Sequence, residues 1–237
     1  MARRPRLPAG DAEPEASRLI ELVRSTVPPV HRAGLPFVSA GLATAAVGHR
    51  RRGIRNIGLA GAAASALFFR NPARVPPQRP GVVVAPADGQ FTICDTALPP
   101  AELGLPAEPV PRVSIFLSLF NAHVQWVPVG GEVTEVRHRR GHHGAADRPR
   151  ATVENERTGV LIRTPDGHRV AVVQIAGVLA RRIVCYLAPG EKVSTGDVYG
   201  LIRFGSRVDT YLPAGSDVLV ARGQHALGAE TVIAELP

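Results

Sequence analysis

Near the C-terminal end, Gly205-Ser206 lies within Gly200-Leu-Ile-Arg-Phe-Gly-Ser-Arg-Val-Asp209. A serine hydroxyl that attacks the carbonyl of the preceding residue converts an amide into an ester. Glycine at that preceding position removes a side chain that would crowd the attack and opens backbone conformations closed to other residues. Loss of the ester by β-elimination leaves a dehydroalanine, which hydrolyses to a pyruvoyl group and ammonia. A ketone beside a carbonyl forms a Schiff base with an amine and accepts the electrons of a breaking α-carbon bond, the work that pyridoxal phosphate does elsewhere. The pair by itself carries little weight, because the chain has 24 glycines in 237 residues and Gly-Ser pairs are ordinary turn sequences.

Self-cleavage needs a base for the serine proton, and a histidine oriented by a carboxylate is the familiar arrangement. Asp88, in Ala85-Pro-Ala-Asp-Gly89, and His123, in Phe116-Leu-Ser-Leu-Phe-Asn-Ala-His-Val124, are the candidates. Each has a plainer reading. Pro-Ala-Asp-Gly is a good β-turn sequence, and a histidine in an apolar stretch is often a satisfied core residue. Arg181 and Arg182 have the geometry to hold a phosphate or carboxylate, or equally to form an ion pair with Glu156 or Asp209. The adjacent His142 and His143 have no third ligand at a diagnostic spacing, so no metal site is expected. Of the 28 basic residues only Lys192 is a lysine, and its turn-like setting, Pro189-Gly-Glu-Lys-Val193, has no evident apolar pocket to activate it. Amine chemistry here needs a carbonyl from another source, and Ser206 offers one.

Five segments in order resemble the phosphatidylserine decarboxylase proenzyme family in its short bacterial and archaeal form. They are Phe68-Phe-Arg-Asn-Pro72, Ala85-Pro-Ala-Asp-Gly89, the Phe116–Val124 segment, Val173-Gln-Ile-Ala-Gly-Val-Leu-Ala-Arg-Arg-Ile-Val184, and Phe204-Gly-Ser-Arg-Val-Asp-Thr-Tyr-Leu-Pro213. The resemblance implies cleavage between Gly205 and Ser206 into a β chain, 1–205, and an α chain, 206–237. Ser206 would become the pyruvoyl cofactor, with Asp88 and His123 as catalytic residues, and phosphatidylserine would be decarboxylated to phosphatidylethanolamine. Long-form members carry a second histidine three residues after the first, where this chain has Trp126, so His123 is expected to serve both cleavage and decarboxylation. Two other readings stay open: an unprocessed, non-enzymatic membrane-bound β-domain, and a pyruvoyl decarboxylase of a soluble amino acid.

The elements that position these residues fall into two regions. Residues 81–237 alternate short β-rich runs with glycine and proline, as expected of a β-dominated α+β domain with an antiparallel, sandwich-like sheet. Strand candidates are Gly81–Ala85, Val113–Leu119, Gly131–His138, Gly159–Thr164, His168–Ile175, Ile183–Leu187, Val198–Phe204, Val208–Leu212 and Val218–Ala221. Residues 1–80 read as a helical, membrane-associating region with a proline-rich linker, Asn71–Pro80. Its uncharged runs, Ala33–Gly48 and Asn56–Phe69, are shorter than the roughly 20 residues a straight crossing needs. They predict a shallow hairpin or an interfacial helix, with Arg50, Arg51, Arg52 and Arg55 between the runs and Arg70 and Arg74 after them meeting anionic headgroups. The net charge of +8, with only 5% aromatic residues and no nucleic-acid motif, favours lipid over nucleic acid. No signal peptide is recognised, which predicts the cytoplasmic face of the cell membrane. Cys94 and Cys185 read as small hydrophobes, not a disulfide.

Overall fold

The computed structural model describes residues 28–146, 151–178, 182–203 and 205–237. Two helices come first, α1 (Leu35–Val47) and α2 (Arg52–Phe68), joined by a short turn that carries Arg50 and Arg51. Alanine-rich composition and a proline in the first turn of α1 favour the helix, and Gly48 ends it. The pair packs closely because it crosses on small residues. A Cβ on Gly41 would lie 2.6 Å from the Ala62 nitrogen, and one on Gly58 would lie 2.4 Å from the Ala45 nitrogen. The other faces hold exposed apolar side chains, among them Leu42, Val47, Ile57 and Leu59. Among the described residues, no helix is long and apolar enough to cross a membrane.

The C-terminal end of α2 anchors this hairpin to the rest of the chain. Phe68 and Phe69 pack with Leu201, Val184 and Tyr186, and the His31 amide donates to the Phe69 carbonyl at 2.7 Å.

The remainder is built from β1 (Val82–Val84), β2 (Gly89–Ala97), β3 (Val110–Leu117), β4 (Val124–Trp126), β5 (Gly131–Arg139), β6 (Arg157–Arg163) and β7 (Arg169–Ala176), followed by β8 (Arg182–Cys185), β9 (Lys192–Val193), β10 (Val198–Arg203), β11 (Ser206–Tyr211), β12 (Asp217–Val218), β13 (His225–Ala226) and β14 (Val232–Glu235). A one-turn helix, α3 (Ala151–Glu154), precedes β6. All pairings between these strands are antiparallel. An eight-stranded sheet runs β13-β2-β3-β11-β7-β6-β5-β9, with three-stranded sheets β4-β10-β8 and β1-β14-β12. The β-dominated α+β fold expected from the sequence is the one observed. The β-branched runs are strands, within a few residues of their expected bounds. Strands β2, β4, β9, β13 and β14 were not among the expected ones.

Strand β11 lies between β3 and β7 in the large sheet, and all six of its residues are buried. Val208 joins the main core with Ile115, Leu117, Val172 and Ile162. Burying each such side chain stabilises the fold by about 1.5–3 kcal/mol. The opposite face of β11 carries charge instead. Arg207 Nε donates to Asp209 Oδ1 at 2.8 Å, and Arg207 also donates to the Ala146 carbonyl at 2.8 Å. Thr152, on α3, donates to Asp209 Oδ2 at 3.2 Å. Buried ions are tolerated only when paired and hydrogen-bonded, and this network ties the Ala146 loop and α3 to the strand that begins at Ser206.

The chain after Ser206 supplies β11 to the large sheet, β13 beside β2, and β12 and β14 to the β1-β14-β12 sheet. A break before Ser206 leaves that segment held by these strand pairings.

Candidate active site

Ser206 opens β11, with its Cα opposite Leu117 of β3 and Ala176 of β7. Its side chain is fully buried, and its hydroxyl has no hydrogen-bond partner among the described residues. Gly205, just before it, takes φ 63°, the left-handed region where a side chain is strained. Both polar groups of Gly205 are engaged: its amide donates to His123 Nε2 at 3.3 Å, and its carbonyl accepts from the Gly177 amide at 3.1 Å.

His123 is held by its neighbours along the chain. Asn121 Oδ1 accepts from both the amide and the hydroxyl of Ser118, at 2.9 and 2.7 Å, fixing the turn before the histidine. The Asn121 carbonyl lies 3.0 Å from His123 Nδ1, which therefore carries the proton, leaving the Nε2 lone pair toward Gly205. Phe68 stacks on the imidazole at 4.0 Å between centroids. Burial, aided by the charge of Arg70, pulls the His123 pKa down to about 4, so the ring is neutral at physiological pH.

Asp88 sits close by without touching the imidazole. No hydrogen bond joins Asp88 to His123; both carboxylate oxygens accept from Arg74, at 2.8 and 2.7 Å, and Oδ1 also accepts from the Gly228 amide at 2.8 Å. The Ala122 amide, next to His123, faces the same carboxylate. The Arg74 guanidinium lies 5.2 Å from the centroid of Trp126, the residue standing where a second histidine is found in long-form sequences. Trp126 is buried against Gly228, where a Cβ would come within 2.5 Å of the indole. Arg74 therefore turns inward, and the expectation that it meets headgroups is corrected: a buried carboxylate claims it. Arg70 is half-buried, and it too is engaged, donating to the carbonyls of Leu67 and Phe120.

Of the two arginines considered for the phosphate, Arg181 lies outside the described residues. Arg182 is exposed on β8, directly opposite Arg203 of β10, two residues before Gly205. The anionic partners considered for these arginines are otherwise engaged: Glu156 pairs with His143 at 3.2 Å, and Asp209 with Arg207. Lys192 is exposed on β9, the edge strand four places from β11. Among the described residues, no cluster of ligating side chains could hold a metal.

An apolar cleft of about 300 Å³ opens beside the Gly205–Ser206 bond, lined by Phe116, Leu119, Ala146, Gly177, Val178 and Gly205. A second, of about 280 Å³, lies between the end of α2 and Phe120 and shares Leu119 with the first. Of the residues named from sequence, Ser206, Gly205 and His123 come together, and Asp88 pairs with Arg74. Sequence reading missed Arg74, whose partner becomes apparent only on folding, and the Asn121 carbonyl and Gly177 amide, which are backbone groups and have no residue-type signature.

A buried serine hydroxyl with no partner among the described residues, following a glycine at positive φ, with a neutral histidine on that glycine's amide, is an arrangement chemically able to attack the preceding carbonyl. The model of the phosphatidylserine decarboxylase family matches residues 62–234. The chain is 63% identical over 239 residues to a phosphatidylserine decarboxylase proenzyme of Mycobacteroides abscessus, with both chains covered completely. Proteins of the same name from Mycolicibacterium gilvum and Rhodococcus jostii are 62% and 57% identical, again over the whole of both chains. The chain belongs to the phosphatidylserine decarboxylase family.

Proposed function

We propose that this chain is a self-processing proenzyme that cuts itself between Gly205 and Ser206 and then decarboxylates phosphatidylserine to phosphatidylethanolamine at a membrane surface. The observation that carries the reading is the Ser206 hydroxyl, fully buried and without a partner at the start of β11. An unpaired buried hydroxyl costs about 1–3 kcal/mol, and that cost has a purpose where the hydroxyl is to react.

His123 is the base. Its Nε2 takes the Ser206 proton and returns one to the Ser206 nitrogen as the C–N bond opens, a transfer that a neutral imidazole can make and an imidazolium cannot. Asp88 is a positioning residue, holding the His123 segment through the Ala122 amide and fixing Arg74 against Trp126. With no second histidine present, His123 serves the later proton transfer as well.

Ser206 fits conversion to a pyruvoyl group. Its carbon skeleton stands at the strand start beside an apolar cleft, and the one lysine is remote from it. Such a group supplies a ketone that condenses with the substrate amine and draws off the electrons left as carbon dioxide departs. Arg182 and Arg203 offer guanidinium groups for the lipid phosphate. The exposed apolar faces of α1 and α2, with Arg50, Arg51 and Arg52 at their junction, suit an anionic bilayer on its cytoplasmic side.

The test is product formation. Purified protein mixed with vesicles containing phosphatidylserine should release carbon dioxide and form phosphatidylethanolamine, and Ser206→Ala should form none. Equal turnover of free serine would replace the lipid substrate with a soluble amino acid, and no turnover of either by a cleaved protein would overturn the reading.

A further inference from the structure

Among the described residues, the backbone amide of Gly177 makes the one hydrogen bond to the carbonyl that Ser206 must attack. Donor and acceptor lie 3.1 Å apart across the ends of β7 and β11, one step beyond the Ser206–Ala176 pair. In the acyl shift, the Ser206 Oγ–Gly205 carbon bond forms and the proton of Oγ leaves for His123. The carbonyl π electrons then move onto the Gly205 oxygen. The intermediate collapses by breaking the Gly205–Ser206 C–N bond, the nitrogen takes up a proton, and no oxidant or further reactant is required. During those steps the developing negative charge sits on the atom to which the Gly177 N–H points.

We infer that the Gly177 amide is the oxyanion donor of the self-cleavage, and that position 177 must be glycine because its side-chain direction is filled by the reacting carbonyl. This deepens the self-cleavage reading and rests on it. A Cβ built on Gly177 would lie 2.3 Å from the Gly205 oxygen, with Ala146 Cβ next at 3.4 Å. Gly177 is not among the glycines at positive φ, so alanine meets no backbone penalty there. Its penalty falls on the scissile carbonyl, which is pushed away from its donor. Loss of one oxyanion donor typically slows a reaction about 10²–10³-fold.

A matched control separates this effect from general damage to the sheet. A Cβ on Gly131 would come 2.2 Å from the Arg163 carbonyl oxygen, the same kind of intrusion between paired strands at the far side of the large sheet. Full-length wild type, Gly177→Ala and Gly131→Ala are purified soon after synthesis, and their cleavage is followed on gels with and without hydroxylamine, which cuts an ester at Gly205. The expected result is a Gly131→Ala protein that cleaves at the wild-type rate and a folded Gly177→Ala protein that cleaves at least about 100-fold more slowly, with no ester for hydroxylamine to cut. The inference is overturned if Gly177→Ala cleaves as fast as Gly131→Ala. It is equally overturned if hydroxylamine releases the fragment from Gly177→Ala, since the ester would then have formed and the block would lie later. A wild-type chain that never cleaves would fail the self-cleavage reading itself, a distinct outcome.

Discussion

His123 Nε2 accepts the Gly205 amide N–H at 3.3 Å, so the base is anchored to the residue whose carbonyl Ser206 is to attack. The Asn121 carbonyl sets the opposite nitrogen of the ring, and Phe68 covers one face. His123→Ala is expected to slow self-cleavage by about 10²–10⁴-fold, the usual contribution of a positioned base. Quantifying intact chain against fragments on gels over time checks this, and a normal rate would remove His123 from the cleavage step.

The acidity of that ring fixes a pH profile. With its pKa lowered by burial to about 4, His123 stays neutral as pH falls through 6.5, where an ordinary imidazole takes up its proton. Cleavage of freshly refolded proenzyme should therefore be flat from about pH 8 to 5.5 and fall only nearer pH 4. Between pH 6.5 and about 4 the unfolded chain binds the proton on His123 and the folded chain does not, so this contribution to stability declines as pH drops through that window. In a Ser206→Ala background, adding His123→Gln should flatten that part of the stability curve, measured by denaturant melts.

Arg74 Nη2 donates to both carboxylate oxygens of Asp88, and each side chain is about one-tenth exposed. Removing one partner of such a pair leaves a buried charge unpaired, at a cost of about 3 kcal/mol. Arg74→Met should lower the melting temperature clearly, and Arg74→Met with Asp88→Asn should recover much of the loss. A double change as damaging as the sum of the single ones would show that the two residues act independently.

Exposed apolar residues and arginines of the α1–α2 hairpin predict binding to anionic vesicles by the full chain. Replacing Arg50, Arg51 and Arg52 together by glutamine should weaken that binding by about 1 kcal/mol per residue and reduce its salt dependence. Ile57→Asp, at a position 71% exposed, should weaken it with little change in stability. Vesicle co-sedimentation at two salt concentrations measures both.

The sequence revealed the strands where β-branched residues run together, as in Val160 to Ile162 and Val170 to Ile175. It hid β2, Gly89–Ala97, because the strand follows an Asp-Gly turn signal directly and carries Gln90, Thr92, Asp95 and Thr96 among its apolar residues. Asp88 and His123 stood out by residue type, but their relationship did not. A carboxylate and a histidine suggest a pair, and only folding reveals that Arg74 takes the carboxylate while a backbone carbonyl holds the ring. The Gly177 amide was beyond reach for the same reason, since every residue except proline carries that donor.

On the proposed function, Ser206 is consumed in the cut. Intact mass measurement of the purified full-length protein tests it most directly. The expected result is two chains, 1–205 and 206–237, with the smaller one lighter by one ammonia than a peptide beginning with serine and blocked to N-terminal sequencing. A single uncut chain, or a small fragment that still begins with serine, would contradict the account.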